Sequence, residues 1–504
     1  MKPMGKRLRR VFLLLAFLLL WIPGAQAADV RRALVMGFDS FLSQPSTAPA
    51  SANNVYQMAE ALSGGAMNLQ QLSTHLDDIS SLEEFAQAVS EAFQGADEGD
   101  ISYFYISTHG VWEEGMPNGD MQLLLSNGHQ EYGLKARELK QVFDQVPGTK
   151  VLLIDACRSG AMLGKGVHGP LENVFQGSEY KVLCSSGGAE ESWFWAGSQE
   201  GGALSGAGYF SGTLVNGISP KGSYGADVND DGNVTLSELE NYLLENHGAS
   251  TPQVYPEDDD FVLFSYAADA YNTRRRDAAM AGVSFGSVVL SGDDPQLDFS
   301  FTMLRSVQVI YQMVYYGADG WQFDRAQFIY DNAERYGAYG DQPGMLSPGR
   351  KERSLTLSQL EDNAYGYVLV QLLTREKDVL TVQSSRVICV PPVQGDPLLE
   401  AQVSASFCPE LGQELSVLIH HQYPCELTVW VEDLNGQVVQ RLAARQPSRP
   451  QGLRPLGTTL YWNGKTRDGA AAPEGSYRLR IRAHIGESAY ELLSEPFLLI
   501  SAQG

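Results

Sequence analysis

The chain has 504 residues, 43% of them hydrophobic and 19% charged, with a formal net charge of −24. One hydrophobic core stops growing at about 250–300 residues, so the length calls for two or three domains, and the composition suits a globular rather than a disordered chain. The acidic balance repels nucleic acid and anionic membranes, excludes nucleic acid as a partner and favours cations and basic substrates, although plain solubility explains most of it.

The first 27 residues read as a signal peptide. Lys2, Lys6, Arg7, Arg9 and Arg10 precede an apolar run at 11–22, and Ala25-Gln26-Ala27 supplies a small-x-small cleavage pattern before Ala28. The alternative is an uncleaved N-terminal anchor. No later stretch is apolar and long enough to cross a bilayer, so the mature chain carries no transmembrane segment and is expected to be secreted. Cleavage removes five of the 36 basic residues and no acidic one, leaving a net charge of −29. An exported chain with an odd number of cysteines (Cys157, Cys184, Cys389, Cys408 and Cys425) keeps at least one free thiol; Cys408 and Cys425 are candidates to pair.

Residues 28–272 alternate between short apolar runs and helical spacing. Strands are expected at 33–37, 101–107, 151–154 and 181–184, and helices at 54–62, 82–93 and 134–146. Such alternation predicts an α/β domain with a mostly parallel sheet covered on both faces. Two of the strands end on reactive side chains. Ser107-Thr108-His109-Gly110 follows one, and Asp155-Ala156-Cys157-Arg158-Ser159-Gly160 follows the other. Ligands in open α/β sheets bind beyond the carboxyl ends of strands, so His109 and Cys157 can meet there. A thiol needs a base to take its proton, and the resulting imidazolium can protonate a leaving amine. The N–H groups of Gly110 and Cys157 are the candidate oxyanion hole.

His109 and Cys157 lie 48 positions apart, close to the ~50 of caspases. With His109-Gly110 and Asp155 to Gly160, the chain resembles the caspase, metacaspase and legumain group of cysteine peptidases, nearest to bacterial secreted types. Residues 33–38 and Gly208-Tyr209-Phe210-Ser211 are weaker matches, and Thr108 stands where that group has Gly. The resemblance implies a caspase-like fold and a cysteine endopeptidase acting on peptide or protein substrates. It also implies that Asp155 lines the pocket for the cleaved residue, with Ser185 and Ser186 beside it. A carboxylate there favours cleavage after Arg or Lys, with Asn second. The plainer reading is that Asp155 only holds a backbone turn. The basic run Arg274, Arg275 and Arg276, and Lys165, then become candidate self-cleavage sites.

Residues 227–238 match the calcium loop of an EF-hand. Asp227, Asn229 and Asp231 supply side-chain oxygens, Gly232 the sharp turn, Asn233 a carbonyl, Thr235 a place for water and Glu238 a bidentate carboxylate. Ca²⁺ is therefore the expected cofactor, structural or regulatory; a metal-free turn is the alternative. Only one loop is present, whereas docking modules of the cellulosome type need two.

Residues 273–278 read as a basic linker. Residues 279–397 form a β-sandwich pattern, and 398–504 a second, immunoglobulin-like one, with a hairpin and a type I′ turn at Asn435-Gly436. Trp462-Asn463-Gly464-Lys465, Asp468-Gly469 and residues 473–477 resemble the immunoglobulin-like repeat of flagellar hook-capping proteins, which implies a spacer or a module that docks on the cell envelope. The competing functional reading is a catalytically inactive exported binding or surface protein on the same scaffold.

Overall fold

The computed structural model describes residues 30–63, 69–113, 115–165, 172–195, 207–290, 295–317, 320–331, 344–357, 366–376, 379–392, 395–450 and 456–502. The expected signal peptide lies outside them.

The first domain is built from β1 (Arg31–Gly37), β2 (Leu69–Leu76), β3 (Ile101–Ser107), β4 (Gly110–Val111), β5 (Gln122–Ser126), β6 (Glu131–Lys135), β7 (Thr149–Asp155) and β8 (Tyr180–Cys184), followed by β9 (Phe194–Trp195), β10 (Ala207–Gly208), β11 (Asn233–Thr235), β12 (Gln253–Tyr255) and β13 (Val262–Ser265). The main sheet runs β12-β8-β7-β3-β1-β2, parallel except for β12. Its central strands are buried throughout because successive residues feed two cores. Leu34, Met36, Phe104, Ile106, Leu152 and Ile154 point to one face; Ala33, Val35, Tyr103, Tyr105, Val151 and Leu153 point to the other.

Helices cover both faces. The helices α1 (Ala50–Ser63), α4 (Tyr209–Ile218) and α5 (Leu236–Glu245) bury Val55, Leu214 and Leu239 against the second face. The helices α2 (Leu82–Ala92) and α3 (Ala136–Phe143) bury Phe85 and Phe143 against the first.

Two departures from the sequence reading have clear causes. The helix expected at 134–146 begins only at Ala136, because residues 131–135 pair with β5 as β6. The Glu138 carboxylate then accepts from the Lys135 N–H at 2.9 Å and starts the helix. The edge strand β2 (LQQLSTHL) went unseen because half-exposed polar residues dilute its alternation.

The rest of the chain forms two β modules, as expected. In the middle module the strands Gln296–Met303 and Gln308–Gly317 lie in separate antiparallel sheets around Phe299, Phe301, Val309 and Met313. In the last, Leu415–His421 and Gly475–Ile485 lie in separate sheets around Trp462 and Leu479, antiparallel except where Ser406–Phe407 pairs parallel with Phe497–Leu499. The Asn435-Gly436 turn is not type I′, which needs positive φ at both central residues. Only Gly436 has one, at 84°. The Asp433 carboxylate accepts from the N–H groups of Asn435 at 2.9 Å and Gln437 at 2.8 Å, selecting a longer loop in which Gly436 is the left-handed residue.

Two further expectations are corrected. All five cysteines are free, so Cys408 and Cys425 do not pair. The basic run is no extended linker: Arg274 ends helix α6 (Ala268–Arg274), and Arg275 and Arg276 lie in the 3₁₀ turn Arg275–Asp277. The modules also bond to the first domain directly. Tyr209 Oη donates to Gln371 Oε1 at 3.2 Å, Trp321 Nε1 to the Ala249 carbonyl at 3.2 Å, and Gln176 Nε2 to the Leu411 carbonyl at 3.1 Å. Among the described residues no helix is long and apolar enough to cross a membrane.

Candidate active site

Register brings the two reactive residues together. The strands β3 and β7 are adjacent and parallel, and Ser107 sits opposite Asp155. Two residues further on, each chain presents His109 and Cys157 at the same end of the sheet. The Thr108 N–H bonds the Asp155 carbonyl at 3.1 Å, so the pairing continues past the strand. The approach is closer still at Gly110. A Cβ built there would lie 1.9 Å from the Cys157 carbonyl oxygen, so only glycine allows the His-Gly backbone to rest on the nucleophile's turn. His109, Gly110, Asp155 and Cys157 all line one cavity of about 650 Å³.

The imidazole is held by groups the sequence did not advertise. His109 Nε2 lies 2.9 Å from the Pro45 carbonyl. A carbonyl only accepts, so Nε2 carries the proton and Nδ1 keeps its lone pair for a thiol. Phe41 packs edge-on against the ring at 4.6 Å. Asp39 shapes this loop: its carboxylate accepts from Thr47 Oγ1 at 2.7 Å and from the Ser51 and Ala52 N–H groups at 2.9 Å each. Those last two bonds also satisfy the start of α1.

Cys157 follows Ala156 in a tight turn that places Arg158 at φ 60°. Its thiol donates to the Ser192 carbonyl at 3.7 Å. Among the described residues, no hydrogen bond joins it to His109. Burial pushes the thiol up to about 11, eased by the Ser192 bond and raised by Glu191 and Asp155. Burial thus favours the thiol over the thiolate.

Asp155 is buried at the base of the cavity. Its oxygens accept from Ser192 Oγ at 2.7 Å and from Ser211 Oγ. Burial pushes its carboxyl up, while the hydroxyls of Ser211, Ser192 and Ser185 pull it down. Gly208 backs directly onto Asp155 Oδ2, where a Cβ would come within 2.2 Å. Glu113, Glu191 and Arg158 also line the cavity, so its acidic groups outnumber its basic ones.

Ser185 and Ser186 do not line that cavity. Ser185 Oγ accepts from the Ala156 N–H at 3.0 Å, and both hydroxyls donate to the Ala156 carbonyl, at 3.2 and 3.1 Å. They brace the nucleophile's turn from beneath. Lys165 is unsuited to cleavage in the folded chain. Its buried ammonium donates to the Val254 carbonyl at 2.8 Å and pairs with Glu257 at 2.5 Å. Arg274 to Arg276 would have to unwind from their helical turn to enter any cleft as an extended peptide.

The 227–238 loop is wound as a calcium loop would be. Asp227 accepts from the N–H groups of Asp231 at 3.2 Å and Gly232 at 3.0 Å; Asn229 accepts from that of Asp231 at 2.9 Å, and Asp231 from that of Asn233 at 2.8 Å. Gly232 takes φ 81°. Thr235 caps α5, its hydroxyl accepting from the Glu238 N–H at 3.2 Å, and one Glu238 oxygen bonds back to it. The other, Glu238 Oε1, is buried without a partner. An all-oxygen donor set and that orphaned oxygen fit a hard cation. Among the described residues, however, no three His, Cys, Asp or Glu side chains converge as a metal group. The backbone fits calcium, while the carboxylates bond the loop's own N–H groups. The strand β11 pairs with β13 rather than with a second loop.

A thiol and an imidazole at adjoining ends of a parallel sheet, both lining a pocket rich in carboxylates, are the arrangement of a cysteine-dependent hydrolase. The caspase-domain family profile matches residues 30–288, more than half of the chain, and the chain belongs to that family. The family is one of cysteine peptidases, whose substrates are peptides and proteins. Among solved structures, the chain is similar to caspase-1 from Spodoptera frugiperda at 13% identity, covering 48% of this chain and 92% of that one, with a TM-score of 0.32. It is also similar to a protein from Geobacter sulfurreducens at 14% identity, covering 45% and 93%, with a TM-score of 0.29. No curated protein matches it significantly in sequence.

Proposed function

We propose that the protein is a secreted cysteine endopeptidase that cleaves after Lys or Arg. The observation that carries this reading is the shared cavity in which Gly110 rests on the Cys157 carbonyl while Asp155 lies at the base. A basic side chain enters toward Asp155, where the acidic lining offsets its loss of water. His109 Nδ1 takes the Cys157 proton as sulfur bonds to the substrate carbonyl carbon. The developing oxyanion is met by the N–H groups of Gly110 and Cys157. The imidazolium then protonates the leaving amine as the C–N bond breaks, leaving a thioester. Water, deprotonated by His109, attacks that thioester and releases the acid and the thiol. Asparagine is the second choice for the cleaved residue.

Calcium has a supporting part in this proposal. Asp227, Asn229, Asp231, the Asn233 carbonyl and Glu238 would hold it, with water on Thr235, and the ion would tie the loop to α5. Tyr271 Oη bonds Asp227, so the loop is also tied to α6, at the domain's end.

One observation favours a different reading, an inactive scaffold: the thiol is engaged by the Ser192 carbonyl and held protonated by burial. Labelling with an Arg-derived acyloxymethyl ketone separates the two. The peptidase reading expects covalent capture at Cys157, cleavage of Lys and Arg peptides, and loss of both in Cys157→Ala. Absence of capture by the wild type, or cleavage that survives Cys157→Ala, sinks it.

A further inference from the structure

The cavity is not built by the first domain alone. Gln312, on the strand Gln308–Gly317, and Phe323, in the turn Phe323–Arg325, come from the middle β module and line it together with Cys157 and Asp155. The Phe323 ring packs against two aromatic rings of the first domain, 5.4 Å from Trp193 and stacked at 5.8 Å on Tyr209. Phe323 and Trp193 are only half-buried, so both keep ring surface open to the cavity.

The backbone around these rings is tied to the reacting groups. Ser192, beside Trp193, bonds Asp155 through its hydroxyl and Cys157 through its carbonyl. The Tyr209 N–H bonds the Trp193 carbonyl at 3.0 Å, and Gly208 backs onto Asp155. Behind them Tyr209, Ile310, Leu373 and Leu380 form a buried cluster that fixes the module against α4.

We infer that Phe323 makes the middle module a working part of the cleft, forming with Trp193 a subsite for an apolar side chain of the substrate. The side of the scissile bond follows from chemistry. His109 must protonate the leaving amine, so the leaving peptide runs past His109. The aromatic wall instead flanks Asp155, on the acyl side. Its occupant is therefore the residue immediately before the basic one. This rests on the peptidase reading given above. An apolar side chain leaving water for an aromatic wall gains roughly what transfer experiments give, and a pocket discriminates by about 10- to 200-fold per methylene-scale difference.

The test compares two peptides that share a cleaved Arg and differ in the preceding residue, Leu or Gly. The full chain is assayed as wild type, Phe323→Ala and Phe323→Leu, with thermal unfolding followed for each. The inference expects the wild type to favour Leu by about tenfold or more in kcat/KM. Phe323→Ala should bring the two peptides to within about threefold, chiefly through KM, and Phe323→Leu should keep most of the preference. An equal preference in Phe323→Ala and wild type, or none in the wild type, overturns the subsite while leaving the peptidase standing. Failure of the wild type to cleave either peptide, or any Lys or Arg peptide, sinks the peptidase reading and the subsite with it. Should Phe323→Ala fail to fold, Phe323→Trp takes its place: a bulkier ring fills the subsite, so the Leu preference must fall, and its persistence overturns the inference.

Discussion

Two glycines mark the difference between the nucleophile's turn and the 227–238 loop. At Gly110 the constraint is space: a side chain would strike the Cys157 carbonyl, a backbone atom contributed from 47 residues further along the chain. At Gly232 the constraint is conformation: φ is 81°, and the nearest neighbour to a Cβ is the Tyr266 carbonyl at an ordinary 3.6 Å. The first site is made by sheet register and the second by a dozen consecutive residues. A site made by register depends on distant elements and loses chemistry when they shift. A site made locally loses only its own shape.

Replacing Gly110 with Ala is the harshest way to probe this. The His-Gly backbone cannot stay where it is, and displacement by about an ångström costs on the order of 10²-fold in rate. Stability should fall by about 1–3 kcal/mol, as for other overpacked sites. Measured kcat/KM on an Arg peptide, alongside a thermal melt, checks both. Retention of full activity would mean that the His109 backbone is not held against Cys157.

The pairing of the two residues can be sharpened by pH. With the thiol pushed up to about 11, its thiolate fraction at neutral pH is small. Below that value the fraction rises about tenfold per pH unit, so alkylation of Cys157 by iodoacetamide should quicken about 100-fold from pH 7 to pH 9. An ordinary thiol would level off near its lower value. A rate already flat between pH 6 and 9 would show a thiolate–imidazolium pair at rest, and then His109→Ala should restore the slope.

These effects bear on what the sequence disclosed. His109, Cys157 and the parallel sheet were legible because apolar runs of alternating facing end directly on them. The turn at residues 227–238 was legible because all of it is local. Pro45, Asp39 and Ser192 were not, although they hold the imidazole and the Asp155 carboxylate, and Ser211 was marked only as part of a matching segment and not as a partner of Asp155. They are small polar or loop residues from distant segments, and nothing in their own neighbourhood announces a partner. Phe323 was hidden for the same reason, since it reaches the cavity from another module. Lys165 misled in the opposite sense. A lysine reads as a solvated surface group, yet this one is buried because Glu257 pairs with it.

Gly232→Ala is the matching probe of the loop. A left-handed conformation costs a side chain about 1–2 kcal/mol, and there is room for the methyl group. The melt should fall by that amount, while kcat/KM on a saturating-calcium assay changes by less than about twofold, because the reacting residues stand on other elements. A loss of activity as large as that expected from Gly110→Ala would tie the loop to the cleft and erase the contrast.

The smallest effect is that of calcium itself. Single extracellular modules bind with Kd of about 10⁻⁴–10⁻³ M, so calcium at ten times Kd adds about 1.4 kcal/mol to stability. Titrating calcium into the full chain should raise its melting temperature by a few degrees, and Glu238→Gln should remove most of that rise. The reason lies in Glu238 Oε1, buried and unpartnered, which a cation would satisfy and an amide serves less well. Magnesium offers a control, since its demand for short octahedral bonds suits this loop poorly. Equal stabilisation of wild type and Glu238→Gln by calcium would place the ion elsewhere on this acidic chain and leave residues 227–238 as a metal-free turn, held by the bonds from Asp227, Asn229 and Asp231 to its own backbone.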